Sequence, residues 1–305
     1  MRIVSLLPSA TEIVYALGLE GSLAAVTSDC DYPPDAAEKP QASFSSLPLD
    51  DDTTPNEIDR LVKESVEANE PIYRLDRALI QELQPDLILA QDLCRVCAVP
   101  SGHVTEALDV IGCDATVISL DPHGLDDVIA GIEEVGDATG TSGRAKELAA
   151  RLRERVQTVR AKARGLSQIP TLALEWADPP FTGGHWIPEM IELAGGRDLV
   201  GVQGEPSTGL SWHAVEAAAP ELIVFMPCGY RLPEAVVQAR DLYAREEFAA
   251  TPAAHDGAVF AVDSSSYFSR PGPRLIDGLE TLAWILHPDV FPEPPPGRVE
   301  RVGPV

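Results

Sequence analysis

The stretch TSGRAKELAARLRERVQTVRAKARGL, residues 141–166, decides the fold. Apolar residues recur at Ala145, Leu148, Leu152, Val156, Val159, Ala163 and Leu166, three or four apart, which puts them on one stripe of a helix. Thr141 or Ser142 can cap its start by accepting a bond from a free backbone N–H. Gly165 and then Pro170 end it. About 24 residues at roughly 1.5 Å each give about 36 Å, enough to run past two domains. Read alone it could be an ordinary long surface helix, so the flanking blocks decide its role.

Those blocks alternate short apolar runs with helical patterns, the signature of α/β architecture. The first block predicts strands near Ile3–Leu7, Leu23–Thr27, Asp86–Gln91 and Ala115–Leu120, with helices over Ala10–Gly18, Leu75–Leu83, Val104–Ile111 and Leu125–Asp137. The second predicts strands near Thr171–Glu175, Glu221–Met226 and Ala258–Val262. Its helices fall near Pro188–Ala194, Trp212–Ala218, Glu234–Leu242 and Leu275–Leu286. A weak repeat relates the two: LQPDLIL at 83–89 resembles AAPELIV at 218–224, and a cysteine follows each, at 94 and 228. The expectation is two Rossmann-like α/β lobes, residues 1–138 and 168–291, joined by a backbone helix over 139–167. Open α/β sheets bind ligands beyond the carboxyl ends of their strands, so a shared cleft between the lobes is expected. Residues 49–70 read as a polar, acidic insertion at the rim of the first lobe, and 292–305 as a loosely ordered tail rich in Pro and Gly.

The chain of 305 residues carries 23 basic and 48 acidic side chains, a net charge of −25. Such a surface repels phosphate backbones, so nucleic acid is excluded as a partner, and it favours solubility or docking of a basic partner. The opening apolar run, Ile3 to Pro8, is shorter than the roughly 7–15 residues of a signal-peptide core. As written the sequence reads as cytoplasmic, or as periplasmic or extracellular if a leader has been removed. Five cysteines, at 30, 94, 97, 113 and 228, are an odd number and do not read as a secreted disulfide framework.

The opening Ile3-Val4-Ser5-Leu6-Leu7-Pro8-Ser9-Ala10-Thr11-Glu12, the segment Pro85-Asp86-Leu87-Ile88-Leu89 and the long central helix together resemble the helical-backbone substrate-binding proteins. These serve ABC transporters of vitamin B12, haem and iron siderophores, and the resemblance, which covers roughly residues 1–290, is greatest to the cobalamin-binding branch. It implies two lobes on a rigid linking helix, small hinge motion, a transporter permease as partner, and a cleft that grips a bulky ligand through aromatic and proline contacts. Such proteins are exported or lipid-anchored, and no leader is evident here.

Several residues are expected at the strand ends of such a cleft. Ser9 and Thr11 begin the first helix, as caps or as ligand contacts. Gln91 and Asp92 end a strand. Trp176, Phe181, Trp186, Tyr230 and Tyr267 cluster at strand ends, and flat rings suit a flat macrocycle such as cobalamin or another corrinoid. Arg270 opens the last helix and can bind amides or carboxylates; the matching stretch of the B12-binding proteins supplies polar contacts, which supports Arg270 and then Arg274. Cys30, Cys94, Cys97, Cys228 and His185 follow strands and form a candidate metal set for zinc or an iron–sulfur cluster, or a contact to a ligand's own metal. The alternative is that Cys30 and Cys228 are small buried side chains and that Cys94 and Cys97 pack a loop or exchange disulfides. Cys113 precedes a strand and is expected in the core.

Enzyme signatures are sparse. No Gly-x-Ser-x-Gly elbow, no Gly-x-Gly-x-x-Gly after the first strand and no Walker A loop occurs. The expected activity is non-catalytic binding of a corrinoid or related metal-containing small molecule. The alternatives are a cytosolic metal or iron–sulfur protein, and a metal-cofactor enzyme on the same fold.

Overall fold

The computed structural model describes residues 1–49, 53–68, 70–92 and 101–304. Its elements run β1 (Ile3–Ser5), α1 (Pro8–Ala16), β2 (Leu23–Thr27), β3 (Gln41–Ser45), α2 (Pro55–Glu67), β4 (Tyr73–Leu75), α3 (Arg77–Leu83), β5 (Leu87–Ala90), α4 (Ser101–Ile111), β6 (Thr116–Ser119), α5 (Leu125–Ala138) and α6 (Ser142–Ala163). They continue with β7 (Ile169–Ala177), β8 (Pro180–Thr182), α7 (Ile187–Leu193), β9 (Gly196–Asp198), α8 (Trp212–Ala217), β10 (Leu222–Phe225), α9 (Leu232–Asp241), α10 (Glu246–Ala249), α11 (Pro252–His255), β11 (Val259–Val262), α12 (Ser264–Tyr267), α13 (Leu275–Leu286) and β12 (Val299–Val302). Two compact units result, one of Met1–Pro122 and Asp127–Ala150, the other of His123–Asp126 and Arg151–Val305. No helix among the described residues is long and apolar enough to cross a membrane.

The first unit holds one sheet in the order β4-β3-β2-β1-β5-β6. Strands β1, β2, β3, β5 and β6 run parallel, and β4 pairs antiparallel with β3. All residues of β1 and β5 are buried, as a parallel strand covered by helices on both faces requires. Val4, Leu6, Ile80, Ile88, Val104 and Leu108 form its core, and Cys113 joins them as the sequence led us to expect. Helix α1 starts at Pro8 with Leu7 as its N-cap and no side-chain cap, so neither Ser9 nor Thr11 caps it. Proline already removes one unpaired N–H from that first turn.

The second unit's sheet runs β12-β11-β10-β7-β8, with β9 also paired to β7. Here β7, β10, β11 and β9 are parallel, while β8 and β12 are antiparallel to their neighbours. The tail expected to be loosely ordered is instead a strand. Val299–Val302 pairs residue by residue with β11, Val302 is 1 % exposed, and Tyr243 Oη donates to its carbonyl at 3.0 Å. Pro and Gly at 292–297 hid an edge strand that only its non-local partner defines.

Helix α6 has the expected stripe: Ala145, Leu148, Leu152, Val156, Val159 and Ala163 are all buried, and Gly165 follows in the left-handed region at φ 87°. Its second half is clasped to α13 by Arg155, whose Nε donates to Glu280 at 2.9 Å and whose Nη2 donates to Asp277 at 2.6 Å and Glu280 at 2.7 Å. Its first half lies against α5, where a Cβ on Gly136 would stand 2.2 Å from Ala145 Cβ. Substituting alanine at Gly136 therefore forces two helices apart. The roughly 1 kcal/mol that alanine gains over glycine in a helix is smaller than the about 1–3 kcal/mol typical of overpacking. Gly136→Ala is expected to lower the melting temperature in a thermal denaturation scan; a rise would show that the two helices separate at no cost.

Candidate functional site

The polar and aromatic residues picked out by sequence collect beyond the carboxyl ends of the parallel strands in each unit. In the first unit β1 leads into Ser5 and then Ser9, which is 2 % exposed. Thr11, fully buried, donates from Oγ1 to Ser5 Oγ at 2.8 Å and lies 3.1 Å from Cys30 Sγ. Cys30 is thus the small buried residue of the two alternatives. After β5, Gln91 is buried and its Nε2 donates to Leu120 O at 2.9 Å, tying the ends of β5 and β6 together. Asp92 accepts from Ser101 N at 2.7 Å, from the Ser101 hydroxyl, and from Ser119 Oγ at 3.1 Å. Burial opposes its charge, but those hydrogen bonds, from Ser101 first and then Ser119, outweigh it and hold the carboxyl below its usual range. Asp92 is therefore ionised at neutral pH. Cys94 and Cys97 lie outside the described residues.

In the second unit β7 extends past its neighbour: Leu174 pairs with Phe225, leaving Glu175, Trp176 and Ala177 beyond the end of β10. Trp176 pairs across the hairpin with Phe181 on β8, and its ring lies 5.7 Å from the ring of Tyr230, tilted by 59°. All three side chains are half-buried. Tyr267 is also half-buried, with Arg298 4.6 Å and Arg274 5.7 Å from its ring centre. Arg274 is thus occupied in part by an aromatic face. Arg270 is half-buried on the turn that precedes α13.

The loop after β8 is built on close approach. A Cβ on Gly184 would meet Ser207 N at 2.2 Å, and one on Gly183 would meet Ile187 at 2.6 Å. His185 follows with φ 51°, held there by a bond from its N–H to Glu205 O at 2.7 Å and one from Gly204 N to its carbonyl at 2.9 Å. Its Nδ1 is buried without a hydrogen-bond partner. Burial first, and then the neighbouring His123, lower its pKa, so the ring is neutral near pH 7. His123 stands with its ring 6.5 Å away and its Nδ1 2.9 Å from Gly204 O. Trp186 is 5 % exposed and donates from Nε1 to Phe268 O at 2.8 Å, so it braces the loop against the segment after β11.

Three residues of this edge carry no strong signal in the sequence. Glu175 sits under the loop, its Oε1 accepting from Gly184 N at 3.0 Å. The protein packed around its carboxyl raises its pKa to about 8, with nearby Cys228 adding to the shift and bonds from Gly184 and Ser207 opposing it. Ser264 donates to Met226 O at 2.9 Å and lies 2.9 Å from Ser269 Oγ, joining the ends of β10 and β11. His123 is the third. Cys228 is exposed, unlike Cys30. Cys30 belongs to the first unit, His185 and Cys228 to the second, and no group of three or more potential metal ligands occurs among the described residues. A neutral imidazole and an exposed thiol can still meet a metal that a ligand brings with it.

The model of a family described as periplasmic binding protein matches residues 3–266. A Vibrio cholerae vitamin B12-binding protein is 25% identical over 288 residues, covering 93% of this chain and 88% of that one. A Bacillus subtilis protein named uncharacterized ABC transporter substrate-binding lipoprotein YvrC is 25% identical over 301 residues, covering 96% and 82%. Among solved structures, the periplasmic vitamin B12 binding protein BtuF of Vibrio cholerae superposes with a TM-score of 0.68 at 24% identity, covering 93% of this chain and 96% of that one. A periplasmic heme binding protein from Pseudomonas aeruginosa gives 0.72 at 21% identity, covering 99% of both.

Glu175 makes the second unit pH-sensitive. A carboxyl whose folded pKa lies above its unfolded one binds a proton on folding in the window between the two. Its contribution is complete below the ordinary carboxylate range and is lost as pH rises through about 8. The melting temperature is expected to fall as pH rises from about 5 to about 9, and Glu175→Gln, which cannot ionise, is expected to flatten that slope. Identical pH profiles for the two proteins would show that Glu175 ionises normally.

Proposed function

This chain belongs to the periplasmic binding protein family, and on that footing we propose that it is the substrate-binding component of an ABC transporter, holding a corrinoid or a related metal-containing small molecule without acting on it chemically. Relatives named vitamin B12-binding proteins align along 93% of the chain, which supports a binding role over the whole fold rather than in one half. The observation that carries the reading is the half-buried aromatic group Trp176, Phe181 and Tyr230 beyond the strand ends of the second unit. Each of these rings is half-buried, which suits side chains that receive a flat apolar partner. His185, Tyr267 and Arg270 are assigned as polar and aromatic ligand contacts in the second unit, and Ser9, Gln91 and Asp92 as ligand contacts in the first. Trp186 acts from beneath by holding the His185 loop.

A second reading is haem, supported by the unpartnered Nδ1 of a neutral His185 and by the solved haem-binding neighbour. The strand ends of the first unit argue for the corrinoid: Asp29, Asp92 and Asp121 lie beyond β2, β5 and β6, and carboxylates there repel the acidic fringe of haem while accepting bonds from corrin amides. Zinc and iron–sulfur clusters gain no support from the relatives. Nor does the cytoplasmic expectation, since the relatives are named as periplasmic or as lipoproteins. We read this chain as working outside the cytoplasm and delivering its ligand to a permease.

Titration with cyanocobalamin is expected to quench the fluorescence of the four tryptophans, and Trp176→Ala to weaken binding by about tenfold or more. Haemin is expected to bind more weakly than cyanocobalamin. No response to cyanocobalamin together with a shifted absorption band for haemin would replace the first reading with the second.

A further inference from the structure

Besides closing the second sheet, the tail brings a guanidinium to a residue of that sheet's ligand edge. Strand β12 runs antiparallel to β11 with Val299 opposite Val262, so the chain enters β12 where β11 leaves the sheet. Arg298 therefore stands beside Asp263, whose N–H donates to the Arg298 carbonyl at 2.9 Å. Asp263 is also the N-cap of α12, accepting from Ser266 N at 2.9 Å, and α12 ends at Tyr267. All of these residues belong to the second unit.

The backbone and the ring of Tyr267 are held by different groups. A one-turn helix such as α12 does not persist on its own, so contacts from outside must fix it. The Tyr267 carbonyl lies so close to α13 that a Cβ on Gly278 would clash with it, and the next carbonyl, of Phe268, accepts from Trp186 Nε1 at 2.8 Å. Such contacts set the backbone and leave the side-chain torsions to be set by other means. The half-buried ring is met by two guanidinium groups, with the central carbon of Arg298 4.6 Å and that of Arg274 5.7 Å from its centre. A guanidinium over a tyrosine ring is attracted to it, more strongly where water is excluded. The Arg298 side chain is 17% exposed, and its Nη1 lies 3.8 Å from Asp277 Oδ1 on α13. That same oxygen accepts from Arg155 Nη2 at 2.6 Å, within the clasp between α6 and α13. The nearer of the two cations thus comes to the ring with its own position fixed.

We propose that Arg298 is a positioning residue of the ligand site, holding the Tyr267 ring in the orientation that the ligand meets. The proposal rests on the reading of Tyr267 as a ligand contact and adds a residue that acts through it. The gain is entropic: a ring whose torsions are set beforehand loses less freedom when a ligand settles on it. One side chain with two torsions makes this a modest effect, about fivefold in affinity.

The test is a double-mutant cycle in the full-length protein. Wild type, Arg298→Ala, Tyr267→Ala and the double variant are titrated with cyanocobalamin by tryptophan quenching. Arg298→Ala is expected to weaken binding about fivefold, Tyr267→Ala about tenfold, and the double variant no further than Tyr267→Ala alone. Arg298→Gln, which keeps the packing of the aliphatic stem, is expected to show the loss of Arg298→Ala. Losses that multiply in the double variant are the mark of a tail that merely supports the fold, and they would overturn the proposal. So would wild-type affinity in Arg298→Ala, or in Tyr267→Ala. Ring-labelled tyrosine, six in the chain, gives a magnetic-resonance readout without ligand. The Tyr267 signal, identified by its disappearance in Tyr267→Phe, is expected to shift and to report faster ring flipping in Arg298→Ala and Arg298→Gln. An unmoved signal would overturn the positioning whatever the affinities. A wild type that binds haemin and not cyanocobalamin would overturn the corrinoid reading, and the same cycle run with haemin then decides the role of Arg298. A wild type that binds neither would overturn the ligand reading and this proposal together.

Discussion

Parallel strand pairing is the constraint on which this structure depends. Parallel strands all end at one edge, and each needs a crossover to return. In both units the central strands are buried, β1, β5 and β10 throughout and β7 over Thr171–Leu174, so the sheet faces there leave no room for a ligand. What remains is the edge. That is why Ser9, Gln91, Asp92, Trp176, Tyr230 and Tyr267, far apart in the chain, all fall beyond strand ends.

Holding loops at such an edge takes contacts that strands do not supply, and here backbone approach and buried polar groups share the task. Gly183 and Gly184 let the loop lie against Ile187 and Ser207. Glu175 receives Gly184 N from below, and Trp186 reaches the Phe268 carbonyl. The first unit uses Gln91 and Asp92 in the same way, joining the ends of β5 and β6 and the start of α4. These bonds shape the rim, so a residue at the edge is not by that fact a ligand contact.

The fold was legible because its signal is local. Period-3.6 stripes over α5, α6 and α13 and apolar runs at β2, β5 and β10 survive in any window of the chain. The strands that escaped the sequence, β3, β4, β8, β9 and β12, are short and polar or sit at sheet edges. Val299–Val302, with Glu300 and Arg301 at its centre, becomes a strand only because β11 offers it a partner. Helix α2 was read as a polar insertion, although Ile58, Leu61 and Val62 had helical spacing, because its acidic residues dominate the composition. At the site, the aromatic residues were visible as a set on predicted loops. Glu175, His123 and Ser264 were not, since burial of one polar side chain depends on distant segments such as Ser207 and Met226 that no local pattern reveals.

The woven tail has a further consequence. Strand β12 occupies the outer rail of the second sheet, and its alternation of Glu300 and Arg301 with Val302 presents charge outward. Stripping it would leave the backbone of β11 as a bare template on which another chain could extend the sheet. The last few residues thus serve as a selvedge, and a fusion joined there inherits the duty of keeping molecules from stitching together.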